Sequence, residues 1–200
     1  MSQLTNEEQK RYHRQLIVPQ IGERGQVLLK KGSVIIVGAG GLGSPVLMYL
    51  AAAGIGRIGI IDSDEVNTSN LQRQILYETG DVTRLKAETA AEKLRHINPH
   101  ITVTAYPVRF TEENAGGLLA GYDIAVDCSD NYSTRYTLSD ATLRAGIPLV
   151  NCAVSEFMGQ ASAFNYKGGS SYRDLYPEEK HIASKDKNGP PGVIGTLQGM

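Results

Sequence analysis

Three short strings in this sequence carry residue types and spacings that suit phosphate chemistry. The first, VGAGGLGS, sets Gly38, Gly40 and Gly43 in G-x-G-x-x-G spacing, with Gly41 among them, after a β-branched run and before a small-residue apolar stretch. Glycines there allow a tight strand-to-helix turn and let a phosphate approach the helix N-terminus, where unpaired N–H groups favour an anion. A packing turn with no ligand is the minority alternative for the same string. Asp62 ends the next apolar run, where an acid would hold ribose hydroxyls, so the two features alone favour NAD or FAD. The second string is SNLQRQ. Its Ser69, Asn70, Leu71, Gln72 and Arg73 place amide donors and a fixed cation just past that acid, and Lys86 falls in the first turn of the next predicted helix. Lys86 alone reads equally as a solvated surface charge, Arg73 within its polar string less so. Together with a helix terminus they suit a triphosphate better than a pyrophosphate bridge already cradled by glycines. The third string, VDCSDN, puts Asp127 and Asp130 at the end of another apolar run. Carboxylates beside phosphate repel it unless a divalent cation intervenes, and magnesium is usually held by one or two carboxylates plus substrate phosphates. Asp130 and Asn131 also fit a helix N-cap, since a helix begins there.

Alternating elements must position these strings. Ser33 to Val37, Arg57 to Ile61, Ile101 to Tyr106, Tyr122 to Cys128 and Leu149 to Ala153 read as buried strands. Helices are expected over Leu42 to Ala53, Thr83 to Ile97, Thr111 to Ala120 and Tyr132 to Ala145, with a helical segment over 1–31. Strands alternating with helices predict an α/β fold, a doubly wound, Rossmann-like and mostly parallel sheet that binds ligands outside the carboxyl ends of its strands. From Glu156 the pattern alternates without a helix, which predicts antiparallel C-terminal strands. A charged, aperiodic segment over about 172–191 reads as a long mobile loop, and GVIGTLQGM as the start of a further helix. One domain over 1–200 is the expectation.

Composition excludes several classes. The formal net charge of -1 gives no bulk field toward nucleic acid or an anionic membrane. The N-terminus lacks a signal-peptide core and no apolar window approaches a membrane span, so a cytoplasmic protein is expected. Cys128 and Cys152 form no C-x-x-C pair, lie in apolar runs and read as buried inert thiols; no zinc site is expected. The four histidines, His13, His96, His100 and His181, are scattered and carry no assigned role.

RYHRQ, GAGGLGS, an Asp before SNLQRQ, the helix Lys, INPH, DCSDN and GVIGTLQ together resemble the MoeB/ThiF/HesA group of ubiquitin-activating-type adenylyltransferases. The resemblance runs from Glu8 to Met200. It implies ATP- and magnesium-dependent adenylylation of the C-terminal Gly-Gly carboxylate of a ubiquitin-fold sulfur-carrier protein, ThiS- or MoaD-like, for thiamine or molybdopterin synthesis. It also implies residue roles: Asp62 on the ribose, Asn70, Arg73 and Lys86 on phosphates, Gly41 at the nucleotide's approach to the loop, and Asp130 on magnesium. Arg14 would reach into the partner's site of a homodimer. Many members carry Cys-x-x-Cys where this chain has Ser171-Tyr172-Arg173-Asp174, some carry a loop cysteine that it lacks, and the chain is short at its C-terminus by comparison.

The residue inventory fits that chemistry independently. A carboxylate nucleophile is ionised at neutral pH and needs no general base. Transfer to an α-phosphoryl group needs alignment and charge neutralisation, which cations, a metal carboxylate and backbone N–H groups supply. Two alternatives remain open on sequence: an NAD-dependent oxidoreductase, from the glycines and Asp62, and a non-catalytic relative that keeps the fold and dimer.

Overall fold

The computed structural model describes residues 4–177 and residue 198. Three helices come first: α1 (Asn6–Arg11), α2 (His13–Leu16) and α3 (Gly22–Lys31). Thr5 starts α1 with a capping box, its hydroxyl accepting from the Glu8 N–H at 3.2 Å while Glu8 accepts from the Thr5 N–H at 2.7 Å. Then follow β1 (Ser33–Val37), α4 (Gly43–Ala53), β2 (Arg57–Ile61), α5 (Lys86–Ile97), β3 (Thr102–Tyr106), α6 (Glu112–Leu119), β4 (Ile124–Asp127), α7 (Tyr132–Ala145), β5 (Leu149–Ser155), β6 (Met158–Phe164) and α8 (Tyr172–Leu175).

The strands form one six-stranded sheet in the order β3-β2-β1-β4-β5-β6, parallel except for β5 against β6. The doubly wound sheet and its antiparallel C-terminal strands are as the sequence predicts. Side chains alternate across it. Val34, Ile36, Ile58 and Ile60 pack with Leu47 of α4 and Ala90 and Leu94 of α5, while Ile35, Val37 and Ile61 join Leu119 of α6 and Leu138 of α7 on the other face. Each fully buried aliphatic side chain contributes about 1.5–3 kcal/mol. Chain order reverses between β1 and β4, which opens a crevice at their carboxyl ends.

Most boundaries lie within two residues of the sequence reading, and two differ by more. The predicted helix from Thr83 begins at Lys86, because residues before it pair with the segment after β2: Leu85 bridges Glu65, and the Val66 N–H donates to the Arg84 carbonyl at 2.9 Å. Thr83 takes a left-handed φ of 76° in that turn. The predicted loop from 172 begins instead with α8, started by a Ser171–Asp174 capping box. Tyr172 is 1% exposed and packs edge-on against Tyr136 and Phe164, while Arg173 binds Asp140 through Nε at 2.7 Å and Nη2 at 2.9 Å. The rest of that loop and most of GVIGTLQGM lie outside the described residues.

Candidate active site

A cleft of about 490 Å³ lies at the carboxyl ends of β1, β2 and β4, within the usual size range for a small-molecule site. The glycine turn forms its floor. Gly38 has φ 96°, and a Cβ there would sit 2.6 Å from the Cys128 carbonyl oxygen, so the turn requires glycine. A Cβ on Gly43 would overlap the Gly38 carbonyl, which fixes the closeness of α4 to β1. Gly40 and Gly41 line the cleft.

Asp62 joins this turn to the next strand. One carboxylate oxygen accepts from the Ala39 N–H at 2.7 Å and the other from the Asp64 N–H at 2.8 Å, which leaves a lone pair on each for a ligand hydroxyl. Burial pushes its carboxyl above the ordinary aspartate value, while those two N–H groups and the Lys86 charge act against the rise.

Lys86 opens α5 and is 5% exposed. Its Nζ lies 3.0 Å from Asp64, whose side chain is 69% exposed. A buried cation resting on an exposed carboxylate can exchange that partner for a phosphate, which carries more charge. The Tyr77 hydroxyl donates to the Ala39 carbonyl at 2.8 Å, which ties the residues before α5 to the glycine turn, and burial drives its own titration upward. Arg73 faces the same cleft, with Nη1 on the Ser69 carbonyl at 3.3 Å and Nη2 on the Asn70 side chain at 3.0 Å.

The polar string therefore divides. Arg73 and Gln74 line the cleft, and Asn70 acts by orienting Arg73. Leu71 packs against the core, Gln72 is exposed, and Ser69 closes a local turn on Asn67. None of these last three lines the cleft.

The DCSDN turn divides too. Asp127 does not line the cleft. It is fully buried and accepts from the Ser129 N–H at 2.9 Å, the Ser129 hydroxyl at 2.6 Å and Asn151 at 2.9 Å. Burial raises its carboxyl, with Ser129 the main opposing influence. Asn131, not Asp130, caps α7, its side chain accepting from the Thr134 N–H at 2.9 Å. Asp130 is thereby left exposed at the cleft, and its carboxylate accepts no hydrogen bond among the described residues. A single unencumbered carboxylate beside cationic residues fits magnesium bound mainly through phosphate oxygens and water. Among the described residues no group of three or more His, Cys, Asp or Glu side chains could hold a metal ion by itself.

Two cationic residues of the cleft escaped the sequence reading. Arg109 follows β3 in a loop with no motif. Arg135 reaches back from α7 to the Ser129 carbonyl at 3.0 Å and lies over the Tyr132 ring. Its place four residues after the Asn131 cap was a usable signal, since such a residue returns toward its own helix start. Arg14 is not in this cleft. It is exposed on α2, whose neighbours Tyr12 and Gln15 pack where the strands begin.

The ThiF family matches residues 12–200. The sulfur carrier protein adenylyltransferase of Thermus thermophilus is 48% identical over 198 residues, covering 96% of this chain and 73% of that protein. The adenylyltransferase and sulfurtransferase UBA4 of Kluyveromyces lactis is 45% identical, covering 97% of this chain and 44% of its own length. Among solved structures, the E. coli tRNA N6-threonylcarbamoyladenosine dehydratase TcdA, in complex with ATP, superposes with a TM-score of 0.73 at 31% identity, over 77% of this chain and 63% of that one. This chain thus spans under half of the yeast protein and under two thirds of TcdA. On the family match and these identities, the chain belongs to the ThiF family.

Proposed function

We propose that this chain uses ATP and magnesium to adenylate the C-terminal Gly-Gly carboxylate of a ubiquitin-fold sulfur-carrier protein, releasing pyrophosphate. One observation carries the reading: a single cleft at the strand ends gathers the glycine turn, Asp62, Arg73, Lys86 and Asp130. The names of the Thermus and Kluyveromyces relatives support the reaction class, and the ATP complex of TcdA supports the nucleotide.

In this reading Asp62 accepts from the ribose hydroxyls, and the glycine turn offers backbone N–H groups to the phosphates. Arg73 and Lys86 neutralise the triphosphate, Lys86 leaving Asp64 to do so. Magnesium bound at Asp130 would offset the charge developing on the phosphates. The carrier carboxylate arrives ionised, so no general base is assigned. An NAD-dependent oxidoreductase would leave Arg73, Lys86 and Asp130 without a role.

The carrier serves thiamine or molybdopterin synthesis, and the protein works as a cytoplasmic homodimer in which Arg14 of one copy completes the site of the other. Arg14's exposure, away from its own chain's cleft, supports that last part. Among the described residues no helix is long and apolar enough to cross a membrane. Exchange of labelled pyrophosphate into ATP, with and without candidate carriers, tests the reaction: carrier-dependent exchange is expected, and its absence with every Gly-Gly carrier tried would overturn it. For the dimer, mixing Arg14→Ala with Asp130→Ala protein should restore activity through hybrid sites. Verified heterodimers without recovery would place Arg14 outside the site.

A further inference from the structure

Cys128 and Cys152, read from sequence as separate inert thiols, lie side by side. β4 and β5 are parallel with Asp127 paired to Asn151, and those two side chains touch at 2.9 Å. One residue further along, Cys128 and Cys152 project together to the opposite face, where Cys128 joins the α4-side core. The neighbouring Cys128 thiol holds the Cys152 thiol below its ordinary value. Cys128 is buried, but Cys152 is only half-buried, which gives a reactant access to one sulfur of the pair.

Their place in the fold makes the pair consequential. The Cys128 N–H donates to the Val37 carbonyl at 2.8 Å, its own carbonyl crowds Gly38, and its Cβ lies 3.7 Å from the position of a Cβ on Gly43. Asp130 is two residues on. Whatever moves Cys128 moves the glycine turn and the DCSDN turn together.

The geometry points to a redox-modification site: oxidation by a peroxide links Cys128 to Cys152 and distorts the cleft that both turns build. The Cys152 sulfur attacks one oxygen of hydrogen peroxide, the O–O bond breaks, and the second oxygen leaves as water with the thiol proton. The Cys128 sulfur then attacks the Cys152 sulfenic acid, the S–O bond breaks, and the hydroxyl departs as a second water with the Cys128 proton. Two sulfurs give up two electrons and the two peroxide oxygens accept them. A sulfur–sulfur bond is far shorter than any non-bonded contact between two sulfurs, so closing the bridge draws the two strands together at this point. A dithiol reductant reverses it.

The consequence for ATP rests on the function proposed above, so the test includes readouts that need no nucleotide. The full chain is treated with stoichiometric hydrogen peroxide. The expected results are loss of two titratable thiols, a peroxide-dependent Cys128–Cys152 linked peptide, and faster amide exchange across residues 127–131 and the glycine turn. ATP-magnesium should bind about tenfold or more weakly, on the scale by which small misplacements of binding groups act. Dithiothreitol should restore all four. Cys152→Ser and Cys152→Ala should bind ATP like the parent and keep that affinity through the same treatment. Absence of the linked peptide, or a linked peptide with unchanged exchange, overturns the proposal, as does equal loss of ATP binding in the Cys152 variants. Failure of the reduced protein to bind ATP would instead overturn the nucleotide assignment alone.

Discussion

Polar side chains gather at both ends of the sheet, and the two gatherings are built on opposite principles. At the amino ends, Asn98 donates to the Tyr12 hydroxyl at 2.8 Å and the Ala51 carbonyl at 2.7 Å, and accepts from the His100 N–H at 3.1 Å. Gln15 donates to Gln26 at 2.6 Å, and Gln26 donates to the Ala53 carbonyl at 2.9 Å. Asn98 and Gln26 are completely buried, and the groups are neutral. At the carboxyl ends the cleft holds Asp62, Asp64, Arg73, Lys86, Arg109, Asp130 and Arg135, charged and, apart from the buried Lys86, at least partly exposed. A closed network whose members satisfy one another specifies a fold, because losing any member strands a buried partner. An open one keeps charge available for a ligand. RYHRQ and INPH supply Tyr12, Gln15 and Asn98 to the first, whereas SNLQRQ and DCSDN supply Arg73 and Asp130 to the second.

The sharpest way to break this contrast is Asp130→Ala. Its carboxylate serves no structural bond among the described residues, so the variant should keep the parent's circular dichroism and melting temperature. Carrier-dependent pyrophosphate exchange should fall by at least ~100-fold, the scale on which one electrostatic group acts in catalysis. A folded variant with parental exchange would remove the metal role, and a variant that unfolds would show that the cleft is structural after all.

Next in size are Arg73→Ala and Lys86→Ala. Each deletes one charge-assisted phosphate contact and should weaken ATP-magnesium binding by roughly 1.5–3 kcal/mol, about tenfold or more. Isothermal titration reads both. Parental affinity in the two variants would assign both cations to surface roles. Lys86→Ala also frees Asp64, so Asp64→Ala is the informative companion. It removes a competitor for Lys86 and should leave ATP binding equal or tighter, whereas weaker binding would make Asp64 a ligand.

The closed corner predicts the converse. Asn98→Ala strands the Tyr12 hydroxyl and leaves the Ala51 carbonyl with the Gly54 N–H alone, and should cost about 1–3 kcal/mol in urea unfolding. At a temperature where the variant remains folded, its ATP affinity should match the parent's. A stable Asn98→Ala with impaired ATP binding would erase the distinction between the two ends.

How far the sequence spoke follows the same division. The strands and helices were legible because apolar periodicity is a local property, and the glycine turn because only glycine tolerates Gly38's φ and the crowding at Gly43. Arg73 and Asp130 were legible through the strings that carry them, and Lys86 through its place in the first turn of a predicted helix. Asp127 was misplaced because strand alternation decides which face it takes, and a buried acid with three donors reads in sequence like an exposed one. Asp130 and Asn131 could not be told apart as caps, since both types cap well. Arg109, and the proximity of Cys128 to Cys152, depend on contacts between segments distant in sequence, which no local pattern encodes.

The smallest expected effect concerns Asp62, the one cleft acid that is also tied into the fold by two backbone N–H groups. Burial raises its carboxyl in the folded state above the unfolded value. The folded chain therefore holds this proton more tightly than the unfolded chain does. Its contribution to stability is fully present below the ordinary aspartate value and is lost as pH rises through the raised folded value. Asp62→Asn cannot titrate, and every other acid is common to both proteins. The stability difference, parent minus Asp62→Asn, should therefore fall as pH rises above the ordinary aspartate value, measured by urea unfolding at each pH. The closed corner, with no acid among its members, should give an Asn98→Ala difference that stays level over the same range. If the Asp62 difference instead grows with pH, the Ala39 and Asp64 N–H groups and the Lys86 charge outweigh burial. Asp62 would then belong with the closed, structural network rather than with the open site.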